Sequence, residues 1–409
     1  MTPEKIIRLI KSNKWQIQGL SAYPFYLCAA ANLSAWEVNK RFGRGYSHFL
    51  FLFENGHTKI LYDERDWNLI FDLYKSEIRT VVKLRVLERE AARRRARAKK
   101  EAKYAPEKLG SYSPSTLAEL VLKTVSLIGW SVGLGHIIEG VEFGAERAIE
   151  NMLQNRGIEN KTVANRLITS EKPSFSLKAR KALWDIKKAP TKEKERKAKN
   201  FLKKYGWFEN SYLGSTHLYL SGVLTRAEAE NEAPVFSKNT LREKNKLLQT
   251  LGLSAEEKEL VAAIAFCTNW RDERKARILQ AIEEVEPVIK ELAGQVGIPR
   301  HVLLYALLEE LTVEKLQDGK FLKTLARRAK GCAVYATPER VSVFDGAEYE
   351  KIKGAIRDLH ATDDITELKG TIAQGGKAQG TVKICYFAED IAAFSSGAIL
   401  VAPMTRPDY

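Results

Sequence analysis

The chain has 409 residues, 44% of them hydrophobic and 29% charged, and a formal net charge of +15 at pH 7. This composition is typical of a globular protein with sizeable cores and excludes a disordered or fibrous chain, while the length predicts about two to four domains. Its four cysteines are far apart in sequence, so neither a CxxC metal site nor a disulfide framework is predicted, and we expect a cytoplasmic protein. The cysteines are Cys28, Cys267, Cys332 and Cys385.

The sequence predicts neither a secretory leader nor a membrane span. Charged residues are interspersed through the amphipathic start of the chain instead of preceding an apolar run. The longest uncharged stretch, residues 124–138, is shorter than the roughly 20 residues that a spanning helix needs. It is therefore expected to be a buried helix, in which Gly129 and Gly133 permit close packing against a neighbouring helix.

Residues 1–104 are predicted to form an α+β region that contains a β-hairpin. Two apolar runs, residues 48–53 and 58–62, flank an Asn-Gly pair, which is the strongest short-range signal for a hairpin turn. The aromatic-rich residues 15–25 show no clear period and are expected to be irregular. After the hairpin, Asp63 is expected to cap one long helix that continues into a strongly basic segment.

The basic segment is residues 83–103, KLRVLEREAARRRARAKKEAK, and a second excess of positive charge follows at residues 178–204. In the first segment the apolar spacing fades as Arg and Lys take over, which predicts a helix that projects into solvent or binds a polyanionic partner. Because isolated surface charges typically add less than about 1 kcal/mol each, replacing four of its arginines with Gln should leave stability nearly unchanged. Those four are Arg93, Arg94, Arg95 and Arg97.

Residues 105–330 are predicted to be a helical domain. Ser254 and Glu257 form the pattern of a capping box ahead of a long helix, inside which Pro287 predicts a kink or a break. The same helix carries three arginines whose guanidinium forks could bind a phosphate group. The alternative, favoured by the acidic residues between them, is a solvated face with internal ion pairs. The three are Arg271, Arg274 and Arg277.

After residue 330 the apolar period changes from helical to strand-like. Residues 331–367 are predicted to be a short α/β connector with strands at residues 332–336 and 340–344. No metal site is predicted. His48 and His57 flank the hairpin, but no cysteine or acidic cluster of ligand spacing accompanies them, so they are expected to be ordinary surface histidines.

The C-terminal residues 368–409 read LKGTIAQGGKAQGTVKICYFAEDIAAFSSGAILVAPMTRPDY. They combine a glycine-rich strand pair, a short helix, the apolar strand AILVA and a TxPD turn. This order resembles the opening of the swivelling phosphohistidine domain of the phosphoenolpyruvate-utilising enzymes, the family of phosphoenolpyruvate synthase and pyruvate phosphate dikinase. The residues that carry the resemblance are Gly370, Gly375, Gly380, Gly397, Thr405, Pro407 and Asp408.

Together with the helical pattern, the resemblance implies a mainly α protein with a small N-terminal β-hairpin and a partial β/α swivelling domain at residues 368–409. In the family, a histidine in a Gly-Gly-x-Thr-Ser-His segment after the TxP turn carries phosphate between two active sites. The sequence ends at Tyr409 before such a segment, and no ATP-grasp domain or phosphoenolpyruvate-binding barrel is recognisable. The chain is therefore expected to be truncated and to hold no catalytic residue of its own.

For the full family enzyme, the resemblance implies Mg²⁺ with ATP or phosphoenolpyruvate, and small-molecule phosphoryl donors and acceptors bound by other domains or by another chain. This chain alone is expected to bind no cofactor and no membrane. The rival hypothesis is a non-catalytic protein that binds nucleic acid or an acidic partner through residues 83–103. Because that segment has few aromatic residues, such binding would rest on backbone electrostatics and weaken steeply with salt.

Overall fold

The fold is mainly α-helical, as predicted, with one antiparallel sheet and a separate pair of short strands. It is seen in a computed structural model that describes residues 1–158, 161–234, 236, 238–359, 376–385 and 394–402. The helices in those ranges are α1 (Pro3–Ser12), α2 (Pro24–Phe42), α3 (Glu64–Leu73), α4 (Val81–Glu101), α5 (Pro114–Val132), α6 (Ile137–Gln154), α7 (Lys161–Ile168), α8 (Phe175–Lys187), α9 (Thr191–Tyr205), α10 (Leu220–Ala229), α11 (Lys238–Thr250), α12 (Ala255–Val296), α13 (Arg300–Leu303), α14 (Val313–Gln317), α15 (Gly319–Arg328) and α16 (Gly346–Asp358). The strands are β1 (Trp15–Ser21), β2 (Phe49–Glu54), β3 (His57–Asp63), β4 (Cys332–Ala336), β5 (Val341–Asp345), β6 (Val382–Ile384) and β7 (Ile399–Val401).

The predicted hairpin is confirmed as β2 and β3, which pair antiparallel. Asn55 and Gly56 both have positive φ angles, 49° and 77°, as the two-residue turn of a right-twisted hairpin requires. The expectation of irregular chain before the hairpin was wrong, because β1 pairs with β3 along its whole length. The available signal was the alternation of Trp15 and Ile17, which pack on the smaller core, with Gln16 and Gln18, but it covers only four residues before Gly19.

The sheet also contains β4 and β5, giving the strand order β1-β3-β2-β4-β5. The strands of the segment 331–367 therefore belong to the same sheet as the N-terminal hairpin. β2 lies at the centre between β3 and β4, which explains its uninterrupted apolar sequence FLFLF: such a run suits a strand that is buried on both faces.

Alternate residues of the central strands enter two different cores. Phe49, Phe51 and Phe53 pack into the large core shared with the helical body, whereas Leu50 and Leu52 pack into a smaller core under α1 and α16. The sheet is thus a layer between this pair of helices and the helical body, and its period of two decides which side chain faces which layer.

The helical body is arranged around α12, which packs most extensively against α5. Ser254 and Glu257 form the predicted capping box at its start, and the helix continues through Pro287 without a break. Gly129 permits α5 to approach α2 closely, since a Cβ there would lie 2.7 Å from the Ala29 carbonyl oxygen. The stretch 114–154 is long and apolar enough to cross a membrane, but 72% of its apolar window is buried inside the protein, as expected of core helices.

The single long helix predicted after Asp63 is divided in two. Asp63 caps α3 as expected, but a π-helical turn follows, and Arg79 has a positive φ angle of 60° before α4 begins. Nor does α4 project into solvent, because Leu84, Leu87 and Ala91 are buried in the main core. Arg85, Arg89 and Arg93 lie on the exposed face opposite these residues.

Candidate functional site

The structure brings together two of the motif glycines. Gly380 and Gly397 are described, whereas Gly370, Gly375, Thr405, Pro407 and Asp408 lie outside the described residues. A Cβ on Gly380 would overlap the carbonyl oxygen of Gly397, so this close backbone approach requires glycine at position 380. Gly397 has a φ angle of 85°, which also favours glycine.

The two glycines lie at the start of a parallel strand pair. Val382 is aligned with Ile399 in β6 and β7, and backbone bonds of 2.9 Å join Ile399 N to Thr381 O and Cys385 N to Val401 O. Val382 and Val401 remain 58% and 45% exposed. The strand AILVA, expected from its composition to be buried on both faces, is therefore only partly covered by the described residues.

Of the three arginines on α12, Arg274 is locked into the protein interior. Its guanidinium donates to both Glu139 carboxylate oxygens, at 2.5 and 3.2 Å, and to the Gly135 carbonyl oxygen at 2.8 Å. Burial alone would raise the pKa of Glu139, but the Arg274 charge outweighs it and lowers that pKa to about 2. This arginine is structural, with its donors committed to Glu139 and Gly135.

Arg271 lies one helical turn earlier and is more accessible. It forms an ion pair with the buried Glu142, yet 48% of its side chain is exposed. Burial nevertheless lowers the pKa of the guanidinium, although the Glu139 charge opposes it. The exposed fraction shows that water reaches this side chain. With five N–H donors and one carboxylate partner, Arg271 retains donors for a ligand.

Arg277 does not join the other two. It pairs with Glu273 at 3.2 Å on its own helix, and its carbonyl oxygen accepts a hydrogen bond from the Ser131 hydroxyl. The three arginines therefore do not converge on one point, and each has a carboxylate partner. The phosphate-binding hypothesis stays a prediction, and Arg271 is the residue to which it now applies.

Behind Arg274 lies a buried polar network that joins α2, the sheet and α6. His136 Nδ1 is 2.7 Å from the Ser34 hydroxyl, and Tyr46 donates to the His136 carbonyl oxygen at 2.7 Å. Burial lowers the pKa of His136 to about 4, so its imidazole is neutral near pH 7. Tyr212 lies at the same place, and burial raises its pKa to about 12. The network supplies hydrogen bonds and fixed charges, not a base that titrates near neutrality.

A second polar cluster surrounds His48, and the expectation of a surface histidine was wrong because this side chain is buried. The Ser47 hydroxyl lies 2.8 Å from His48 Nδ1 and 2.9 Å from both carboxylate oxygens of Asp66. Burial raises the pKa of Asp66 to about 6. The Ser47 hydroxyl and backbone N–H both donate to the Asp66 carboxylate, and these bonds tie the start of the hairpin to α3. His57 lies at the other end of the hairpin, so the two histidines cannot form a metal pair.

Sequence reasoning missed the carboxylates that pair with the α12 arginines. Glu139 and Glu142 stand three residues apart in the mostly apolar first half of α6, which was the available signal: charged groups in an apolar run are retained where a partner balances them. Their partners are about 130 residues away in sequence, as the bonds Arg274–Glu139 and Thr268–Glu142 record. No local pattern identifies such a pair.

Neither a protein-family model, nor a curated protein, nor a solved structure matches this chain. The likeness of residues 368–409 to the phosphoenolpyruvate-utilising enzymes therefore stays a prediction. What can be said of function rests on the glycine contact, the accessible Arg271 side chain and the charged surfaces.

Proposed function

We propose that this protein is a phosphotransferase of the phosphoenolpyruvate-utilising type. Residues 1–359 would form its sheet-and-helix scaffold, and the mobile domain would begin near residue 368. In such an enzyme, a histidine nitrogen attacks the phosphorus of a donor, the bond from phosphorus to the leaving oxygen breaks, and the phosphoryl group is then passed to an acceptor. The histidine that does this in the family has no counterpart among residues 1–409.

The observation that carries the proposal is the contact between Gly380 and Gly397. The family pattern places glycines at these two positions, ahead of a strand in each case. In this chain the first glycine packs on the backbone of the second, and the following strands run parallel and in register. The requirement for glycine at position 380 supports the motif as a structural unit and not as a chance composition.

Arg271 is the described side chain that best fits a phosphoryl group. A guanidinium matches the oxygens of a phosphate geometrically, and the exposed fraction of Arg271 leaves it accessible to a ligand. ATP or phosphoenolpyruvate with Mg²⁺ would supply the phosphoryl group and neutralise its charge during transfer. Glu142, which pairs with Arg271, would compete with the incoming anion, so a weak contact is expected.

Radiolabelled phosphoryl donors test the proposal. The 409-residue chain, and separately the protein isolated from its source cells together with any bound partners, are incubated with Mg²⁺ and labelled ATP or phosphoenolpyruvate. We expect acid-labile, base-stable label on the isolated material and none on the 409-residue chain alone. If neither donor labels either protein, the proposal fails. Stoichiometric label on one of the six histidines of the chain would instead show that the carrier lies within it.

We also propose a cytoplasmic location for the protein. Cys28, Cys267 and Cys332 are buried and form no disulfide bond with each other, which suits a compartment that keeps thiols reduced. Burial raises the pKa of the Cys28, Cys267 and Cys332 thiols, so they act as small apolar side chains and not as nucleophiles. Fractionation of the source cells, with the protein detected by antibody, checks the location.

A further inference from the structure

The outward face of α4 is a continuous, exposed and basic surface. Eight positions lie on it, each three or four residues from another of the eight, and each of their side chains is exposed. We name this surface the α4 stripe. Its members are Val82, Arg85, Val86, Arg89, Arg93, Ala96, Arg97 and Lys100.

The opposite face of α4 holds the α4 stripe in a fixed position. Leu84, Leu87 and Ala91 are buried against the helical body, where α4 packs on α5 and α12. Arg95 adds a hydrogen bond of 2.9 Å to the Ser131 hydroxyl of α5. The α4 stripe is therefore part of a rigid helix, and no ordering of that helix has to accompany binding.

Most cations of the α4 stripe are not neutralised. Arg85, Arg89, Arg93 and Lys100 form no ion pair with any residue that the structure describes. Arg97 is 85% exposed and reaches Glu101, which lies beside the stripe, at 3.2 Å. No acidic residue lies on the α4 stripe itself.

The second basic segment of the chain, residues 178–204, is also rich in Lys and Arg but has different surroundings. In α8 and α9 a set of cations is paired with carboxylates: Arg180 with Glu230 at 2.9 Å, Lys194 with Glu228 at 2.6 Å, and Lys199 with Glu195 at 2.6 Å. Part of the positive charge of α8 and α9 is therefore neutralised within the fold. The positive charge of the α4 stripe remains available to a partner.

We propose that the α4 stripe binds the phosphodiester backbone of a double-stranded nucleic acid, without reading its sequence. From Arg85 to Lys100 it offers one cation per helical turn, about 6 Å apart along a line of about 22 Å, which suits a linear polyanion. Guanidinium groups bind phosphate oxygens directly. The stripe carries no aromatic ring on which the bases of a single strand could stack, so charge density favours a duplex. The inference goes beyond the proposed phosphotransfer and does not depend on it.

Salt-dependent binding to duplexes of about 20 base pairs, one of DNA and one of RNA, tests the proposal by fluorescence anisotropy. Neutralising five phosphates predicts that the logarithm of the association constant falls against the logarithm of salt concentration with a slope of about −4.5. The triple variant Arg85→Gln, Arg89→Gln, Arg93→Gln should make that slope shallower by about 2.7. The corresponding Arg→Lys triple variant keeps the charges and should keep the slope, which separates lost charge from damaged folding.

A matched control removes the same charge elsewhere, in the variant Lys192→Gln, Arg196→Gln, Lys199→Gln on α9, whose side chains are also exposed. It should leave the slope unchanged. An equal loss in both triple variants would show that net charge, and not the α4 stripe, drives binding, and would overturn the proposal. So would the absence of duplex binding at about 50 mM salt, where backbone contacts are strongest. If a polyglutamate peptide or anionic vesicles bind more tightly than the duplexes, the α4 stripe belongs to a different partner. If only one kind of duplex binds, recognition does not rest on the backbone alone.

Discussion

The arginines of α12 and those of α4 have the same chemistry and opposite surroundings. Arg274 is enclosed in the protein with two bonds to Glu139, whereas Arg85, Arg89 and Arg93 extend from the surface without a carboxylate partner in the described part of the chain. In sequence, both groups stand on helices at spacings of three or four. The difference shows that burial, and not spacing, decides whether an arginine stabilises the fold or is available for binding.

The largest effect is expected from removing the charge that balances Arg274. Glu139→Gln leaves a buried guanidinium with no counter-ion, which typically costs about 3–5 kcal/mol of unfolding free energy. The control is Glu273→Gln, which removes the exposed partner of Arg277 and should cost less than about 1 kcal/mol. Urea denaturation of the two variants measures both values. Equal, small costs would mean that the inner and outer arginines do not differ as the structure indicates.

Acid should weaken the buried network before it affects the surface. The pKa of His136 is about 4 in the folded protein against about 6.5 when exposed, so the unfolded state takes up the proton first. The stabilisation from its neutral form is complete above pH 6.5 and is lost as pH falls towards 4, in total about 3 kcal/mol. Glu139, with a pKa of about 2, adds a loss only below about pH 4.

The pH profile of His136→Gln isolates this contribution. Ser34, Glu139 and Arg274 surround the ring in both proteins, and Asp66, whose raised pKa of about 6 stabilises the fold as pH falls, is also common to both. The difference between the two unfolding profiles should therefore show the contribution of His136 to the free energy of unfolding alone. Parallel profiles between pH 7 and pH 4 would mean that the imidazole titrates normally and is not buried.

Within α4 itself, the inner arginines should matter moderately. Arg94 pairs with Glu90 at 2.6 Å and with Glu37 of α2, and it is about one third exposed. Arg94→Gln should lower the free energy of unfolding by about 1 kcal/mol, since a partly buried network exceeds an isolated surface pair. Thermal unfolding of this variant beside Arg93→Gln, one position away, measures the contrast. No difference between them would place both side chains in the same environment.

The smallest effect belongs to the outer arginines. Replacing Arg93 and Arg97 together with Gln should change the free energy of unfolding by no more than about 0.5 kcal/mol, because neither makes a contact that solvent cannot replace. The sequence alone predicted this indifference for four arginines. The structure divides that set, since Arg94 and Arg95 face α2 and α5. A melting temperature lowered by many degrees in the double variant would contradict the exposed position of the stripe.

Local signals in the sequence predicted local structure well. The Asn-Gly pair identified the hairpin, and the Ser254–Glu257 box identified the start of α12, because each depends on a few adjacent residues. The strand β1 and the break at Arg79 were missed. The alternation in β1 covers only residues 15–18 before Gly19 interrupts it. At the π-helical turn, the buried Tyr74 and Ile78 continue the apolar spacing of α3.

Pairing across the chain was beyond the reach of sequence patterns. Residues 332–336 were recognised as a strand, but nothing near them indicates that they pair with Phe49–Glu54. The same holds for the charged residues of the candidate site. Guanidinium chemistry singled out Arg271 and Arg274 in the sequence. Nothing near them in the sequence indicated the carboxylates that neutralise them, Glu142 and Glu139. A single sequence records which residues are charged, and the fold decides which of those charges meet.

The pairing of β2 with β4 has a consequence for synthesis on the ribosome. β2 is complete by Glu54, but β4 begins at Cys332, so about 280 residues must be translated before the second edge of β2 finds its partner, roughly 15 to 60 s at usual elongation rates. During that interval the FLFLF strand has an open edge and an uncovered apolar face. We therefore expect chaperones to bind the nascent chain at this strand, and slowed elongation through α5–α12 should raise the fraction that aggregates.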